Sequence, residues 1–178
     1  MKVFLLGYMC SGKSSIGRKI AKRLGMDFID TDEEIERREG AEVADVIYYE
    51  GEEYFRTLEH NILLELLKKD NLFVSTGGGL PVWGNNMDLI LQNGLSVYLR
   101  RPTHQILSRL TPYGRYKRPK LRGKSDEELK TYIEEDIIKR EPVYMRSNLI
   151  LECSLLSDAD IFERVELTVK NMQNEKAF

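Results

Sequence analysis

The 178-residue chain predicts an α/β fold, a parallel sheet with helices on both faces. Three observations carry that expectation. Short apolar runs alternate with stretches of helical periodicity, the order that builds βα units. Most of these runs are near-continuously apolar, as strands buried on both faces are. The first run, KVFLL, leads straight into GYMCSGKSS and then a helical stretch, the strand–turn–helix setting of a phosphate cradle.

In chain order, the strands are read at Lys2–Leu6, Asp27–Ile29, Leu72–Ser75, Leu95–Leu99 and Leu149–Glu152. Helices lie between them. Ile16, Ile20 and Leu24 recur at i, i+4, i+8, as do Leu58, Ile62 and Leu66, and Ile161, Val165 and Val169; each set is an apolar stripe on one helix face. Two stretches read as insertions on one core: residues 31–60, rich in charge and aromatics, and residues 111–124, a basic loop. No internal repeat or low-complexity linker divides the chain, so a single domain over residues 1–178 is expected.

Composition narrows the function classes. Hydrophobic residues at 42% and charged residues at 31% describe a globular chain rather than a disordered one. A net charge of -2 argues against a generic nucleic-acid binder. No apolar run approaches the ~18 residues of a membrane helix. The two cysteines, Cys10 and Cys153, form no CxxC pair, so a reducing, cytoplasmic setting is expected. No apolar interface helix stands out, and a monomer is expected.

Gly7-Tyr-Met-Cys-Ser-Gly12-Lys13-Ser14 fits G-x-x-x-x-G-K-[ST]. Its glycines let successive backbone N–H groups turn toward phosphate oxygens, and the following helix adds its positive end. Lys13 is expected to reach the β/γ-phosphates and the Ser14 hydroxyl to ligate Mg²⁺. The nucleotide-binding loop runs on through Ser15 and includes Cys10 and Ser11; Cys10 fills a variable position and needs no chemistry of its own. A switch GTPase would add D-x-x-G and N-K-x-D, and the sequence has neither. In a motor ATPase a metal-ordering acid would end a core strand, whereas LFVST ends in hydroxyls and Gly77-Gly78-Gly79.

Acids appear instead at Asp30 and Asp32, at the end of the second strand. Strand alternation would aim one at the Mg²⁺ region and the other at a neighbouring pocket, where a carboxylate accepts the proton of an attacking hydroxyl. The simpler alternative makes Asp32 a cap of the next helix. Arg56 and Glu59 are spaced either as a surface i, i+3 pair or as a guanidinium fork for a carboxylate ligand, oriented by Glu59. Three successive glycines point to close approach of backbone to ligand, with a plain loop as the alternative. Residues 113–124 hold six basic residues and no acid: a nucleic-acid patch, a solvated loop, or a lid whose arginines neutralise a transferring phosphoryl group. Ser125 then caps a helix that Pro142 is expected to stop.

Taken in order, these motifs resemble those of the shikimate kinases, in the nucleoside-monophosphate-kinase group of P-loop folds. Gly7 to Ser14 is followed by Asp30-Thr31-Asp32, similar to the family's D-T-D. Gly51-Glu52, Phe55-Arg56 and Glu59 resemble its G-E-x-x-F-R-x-x-E. Gly77-Gly78-Gly79 resembles its triple glycine, Arg118-Pro119 the R-P of its lid, and Arg140-x-Pro142-x-Tyr144 its R-x-P-x-Y. The resemblance implies a three-layer α/β/α P-loop kinase fold with five parallel strands ordered 2-3-1-4-5. It implies that Asp32, Arg56, Gly77, Gly78, Gly79 and Arg140 hold shikimate, with Asp32 also the base. It assigns Ser14 and Asp30 to Mg²⁺, Arg118 to the ATP phosphates beside Lys13, and Arg109 to the adenine. Residues 31–60 become the substrate-binding region and residues 111–124 the lid. The implied reaction is transfer from ATP to the 3-hydroxyl of shikimate. A gluconate- or nucleotide-directed kinase of the same fold is the nearest alternative, and an RNA-binding module using the basic loop a more distant one. The lid departs from the family by reading Arg118-Pro119-Lys120-Leu121, where two leucines often follow R-P. The stretch from Arg109 to Arg118 is also slightly long.

Overall fold

The computed structural model describes residues 1–175. Five parallel strands form one sheet in the order β2-β3-β1-β4-β5: β1 is Lys2–Leu6, β2 Asp27–Asp30, β3 Leu72–Ser75, β4 Leu95–Arg100 and β5 Leu149–Glu152. Spans read for β1, β3 and β5 coincide with the observed ones. Strands β2 and β4 each run one residue further, because the parallel ladder continues from Asp30 to Ser75 and from Arg100 to Glu152.

Side chains of the central strand alternate between two apolar layers. Val3 and Leu5 face a core built with α1 (Lys13–Leu24) and α9 (Asp158–Glu175), through Ile16, Ile20, Ile161, Val165 and Val169. Phe4 and Leu6 face the opposite core, built with α4 (Glu52–Leu67) and α5 (Asn86–Asn93) through Phe55, Ile62, Leu66 and Ile90. Each of these strand residues is fully buried, which is why β1 shows no polar alternation. At about 25 cal/mol per Å² of apolar surface, these two layers supply most of the drive for folding.

Helices α2 (Thr31–Glu39) and α3 (Val43–Glu50) precede α4 and form the insertion after β2. Helix α6 is Thr103–Arg109. The stretch 111–124, read as a loop, contains the short helix α7 (Pro112–Tyr116) and a 3₁₀ turn at Pro119–Leu121. Two signals hide there: Thr111 caps α7 by accepting from Gly114 N at 3.0 Å, and prolines open both turns. Leu121 is buried with Tyr8, Ile106, Leu129 and Ile133 in a third, smaller cluster, which anchors this segment by one apolar side chain.

Helix α8 (Asp126–Tyr144) begins with the expected Ser125 cap, completed by Glu128 into a capping box. It does not stop at Pro142 but continues to Tyr144. The carbonyl left without a donor by Pro142 belongs to Ile138, which is 69% exposed, so water can satisfy it. The last turn is also held from outside: Tyr144 is fully buried against Tyr98, ring centroids 5.1 Å apart, and its hydroxyl donates to the Gly78 carbonyl.

Candidate active site

The loop after β1 lies at the carboxyl edge of the sheet, where strand order reverses between β3 and β4, the ligand-binding position of open α/β sheets. Gly7 turns there at φ +151°, and a Cβ on it would stand 2.8 Å from Ser11 Oγ and 2.9 Å from the Leu99 carbonyl. The backbone therefore packs closer than any side chain allows. Cys10 adopts φ +57°, an uncommon value for a residue other than glycine. Arg101, itself buried, donates from Nε to the Ser11 carbonyl at 3.1 Å and braces the loop from behind. The Lys13 ammonium donates to the carbonyls of Gly7 and Tyr8, both at 2.9 Å. Burial holds its pKa below the ordinary lysine value, opposed by the charges of Asp32 and Asp30.

Asp30, the last residue of β2, has two tasks. Its Oδ1 accepts from the backbone N of Asp32 and Glu33 at 3.0 and 3.4 Å, so it is Asp30, not Asp32, that caps α2. Its Oδ2 accepts from Ser14 Oγ at 2.6 Å. Hydroxyl and carboxylate oxygens side by side are hard donors that suit a small divalent cation completed by phosphate and water. Among the described residues no group of three or more His, Cys, Asp or Glu is arranged to hold a metal.

Asp32 stands in the first turn of α2, and helix geometry rather than strand alternation turns it away from Asp30. Burial, with the Asp30 charge beside it, pushes its carboxyl up to about 6, and its Oδ1 is buried without a hydrogen-bond partner. Glu59 on α4 is similar: burial raises it to about 7 against the pull of Arg56. Arg56 Nη1 donates to Glu59 Oε2 at 2.5 Å, so the i, i+3 pair read from the sequence is present and almost fully enclosed at its Glu59 end, which is 1% exposed.

The triple glycine opens space mainly for protein side chains, not directly for a ligand. A Cβ at Gly77 would collide with the Asp32 and Glu59 carboxylates, and one at Gly79 would overlap the Arg56 guanidinium. Gly78 alone keeps ordinary clearance, 3.6 Å to Arg140. The Thr31 hydroxyl accepts from Gly77 N at 2.7 Å and locks this turn to α2.

Arg140 reaches in from α8. Asp136, one turn earlier, accepts from its Nε at 3.0 Å and pairs with Nη2 at 2.9 Å. The Tyr8 hydroxyl, from the glycine-rich loop, donates to the same Asp136 at 2.8 Å. Tyr8 and Asp136 were not singled out in the sequence. The i, i+4 spacing of Asp136 and Arg140 was a visible signal; nothing marked Tyr8.

One cavity of about 470 Å³ collects these groups, with Lys13, Asp32, Arg56, Gly79, Arg118 and Arg140 on its wall. Gly12, Cys10, Ser14, Ser15, Asp30 and Gly78 also line it. Gly7, Ser11 and Gly77 act from behind the wall, through the contacts given above. Arg109 is outside it, its guanidinium placed so that a Cβ on Gly12 would lie 3.3 Å away. Arg118 donates to the Gly114 carbonyl at 2.6 Å within the lid segment. His60 bonds Asn86 at 2.6 Å and packs on Trp83, far from any metal role.

Arg56, Arg118 and Arg140 thus share one cavity with Lys13, Asp30 and Asp32. A family model described as shikimate kinase matches residues 9–170. The shikimate kinase of Azobacteroides pseudotrichonymphae is 37% identical over 92% of this chain and 96% of its own. The crystal structure of shikimate kinase from Bacteroides thetaiotaomicron superposes with a TM-score of 0.86 at 33% identity, covering 96% of this chain and 98% of that one. The Acinetobacter baumannii shikimate kinase, solved in complex with shikimate, gives 0.86 at 31% identity, covering 96% and 93%. A family model that matches most of the chain, and relatives of that identity over nearly their whole length, mean that the chain belongs to the shikimate kinase family.

Proposed function

We propose that this protein transfers the γ-phosphoryl group of ATP to the 3-hydroxyl of shikimate, giving shikimate 3-phosphate and ADP on the route to chorismate and the aromatic amino acids. The observation that carries this reading is the pair Arg56 and Arg140 on the wall shared with Asp32 and Lys13. A small acid bearing hydroxyls can lay its carboxylate between two guanidiniums while one hydroxyl points at Asp32 and the phosphate loop. The family match and the shikimate complex of the Acinetobacter relative support the same substrate.

The placements support the following roles. The backbone of residues 7–15, with Lys13, holds the ATP phosphates, and Arg118 approaches them from the lid. Arg109, beside Gly12, is assigned to the adenine side. Ser14 and Asp30 would hold Mg²⁺, which would neutralise charge on the nucleotide phosphates. The attacking hydroxyl oxygen forms a bond to the γ-phosphorus as the bond to the ADP oxygen breaks, and the hydroxyl proton passes to Asp32. An Asp32 carboxyl near pH 6 is ionised at neutral pH yet basic enough to take that proton. Positioning and charge stabilisation supply the rest of the rate. Lid closure keeps water from the phosphoryl group. Every group needed comes from one chain, in keeping with a single kinase domain acting as a cytoplasmic monomer; among the described residues no helix is long and apolar enough to cross a membrane.

The test is ADP release with Mg²⁺ and ATP across shikimate, gluconate and nucleoside monophosphates. Release dependent on shikimate alone is expected. ADP formed with one of the other acceptors but not with shikimate would overturn the reading.

A further inference from the structure

The lid and the substrate-binding region carry opposite charge. Residues 113–124 hold six basic side chains and no acid, whereas residues 31–60 hold eleven acids against three arginines. Two ion pairs join them. Lys117 reaches Glu42 at 3.1 Å, with Tyr113 donating to the same carboxylate at 3.3 Å. Lys120 donates to both oxygens of Glu52, at 2.9 and 2.8 Å. Glu52 is also shared: Arg56 Nη2 lies 3.3 Å from its Oε1. The only buried apolar side chain of the lid's second turn, Leu121, sits next to Lys120 and holds that turn down.

We propose that Lys120 and Glu52 are positioning residues that tie the lid to the acceptor arginine, so that nucleotide under the lid and shikimate at Arg56 tighten each other's binding. The inference rests on the function proposed above. Glu52 draws on both sides at once. When the lid is down, Lys120 takes up part of the Glu52 charge and fixes that carboxylate. Glu52 in turn holds one edge of the Arg56 fork, whose other edge is held by Glu59. A fork with less freedom loses less entropy on binding a carboxylate. The linkage is reciprocal, because a ligand that immobilises Arg56 returns the same advantage to the closed lid. Lys120 is about half exposed, so the tie is modest and screened by salt. A leucine at this position could not make the tie.

The experiment measures shikimate affinity by calorimetry, with and without a non-hydrolysable ATP analogue and Mg²⁺, in the full chain. The quantity read is the ratio of the two dissociation constants. In Lys120→Met that ratio should fall about twofold to fivefold, and Lys120→Arg should restore it. Raising salt to about 0.5 M should lower the wild-type ratio but not that of Lys120→Met. Glu52→Gln should lose the same factor, and the double variant no more than either single one. A wild-type ratio of one, or a ratio unchanged in Lys120→Met, overturns the inference and leaves the proposed function standing. Failure of the wild-type protein to bind shikimate at all overturns both.

Discussion

The donor and acceptor halves of the cavity are built on opposite principles. The donor half centres on one contiguous loop in which backbone does most of the work. The buried cation of the loop itself, Lys13, rests on two of its carbonyls. The acceptor half draws side chains from α2, α4, α8 and the turn after β3, and its charges are held by one another. Asp32 and Glu59 lie against Gly77, Arg56 bonds Glu59, and Arg140 bonds Asp136. A backbone cradle tolerates side-chain change at most of its positions. A mutually held charge cluster does not, and it also stores unfavourable electrostatics. Substitutions should therefore divide sharply between the two halves.

Asp32→Asn is the largest expected effect and the sharpest probe of stored charge. Loss of the base should lower kcat by about 10²–10⁴-fold. Stability should move the other way. A carboxyl raised from 3.8 to about 6 in the folded protein stabilises the fold fully only below its unfolded value, and that contribution is lost as pH rises through 6. Replacing it by the isosteric amide removes the penalty. Thermal melts should show the variant more stable by about 1–3 kcal/mol at pH 8 and level with the wild type near pH 4. A variant less stable at pH 8 would show that the Lys13 attraction outweighs the desolvation of Asp32.

Arg56→Ala comes next. It strips the ligand fork and leaves Glu59 buried with a raised pKa and no cation at Nη1 distance. Shikimate KM should rise at least about 30-fold, the size expected for truncating one partner of an enclosed pair, while KM for ATP changes little. Arg56→Lys should not recover it, because an ammonium cannot bridge Glu52, Glu59 and a ligand carboxylate in one plane. Equal losses in both KM values would erase the division between the halves.

Gly79→Ala asks whether the glycines serve side chains or ligand. The added methyl overlaps Arg56, not the open cavity, so the guanidinium must shift. A displacement of about 1 Å can cost as much as 10²-fold, and steady-state kinetics should show it in shikimate KM and kcat/KM. Gly78→Ala, with ordinary clearance at 3.6 Å, should be milder. The reverse order would restore the view that the run exists for ligand approach.

The two halves also differed in how far the sequence exposed them. The cradle was legible because its parts are adjacent: eight residues, a preceding strand and a following helix. Parallel topology could be read because β1, β3 and β4 are buried on both faces and so lack alternation. On the acceptor side Arg56, its partner Glu59 and Arg140 could be picked out by motif order, but not Asp136 and Tyr8 behind Arg140. The use of the glycines depends on where Asp32, Glu59 and Arg56 arrive in space, which no local pattern records. Pro142 misled because a steric rule for helix interiors was applied to a last turn that Tyr144 secures through Tyr98 and Gly78. Asp30 and Asp32 have different neighbours because a helix starts between them, which strand alternation does not foresee.

The smallest effect should come from a bond that runs from the cradle itself to the acceptor side. Tyr8 belongs to the cradle by sequence, yet its hydroxyl holds Asp136 and, through it, Arg140, 132 residues away. The guanidinium also lies 5.5 Å from the Tyr8 ring. Tyr8→Phe keeps the ring and removes only the hydroxyl bond to a charged acceptor, worth about 1.5–3 kcal/mol when buried and less where, as here, Arg140 still satisfies the carboxylate. A rise of a few-fold in shikimate KM is expected, with ATP KM almost unchanged, although the mutated residue lies in the nucleotide loop. That inversion is the informative part. A change confined to ATP KM would return Tyr8 to the cradle alone and leave Arg140 oriented by α8 without help.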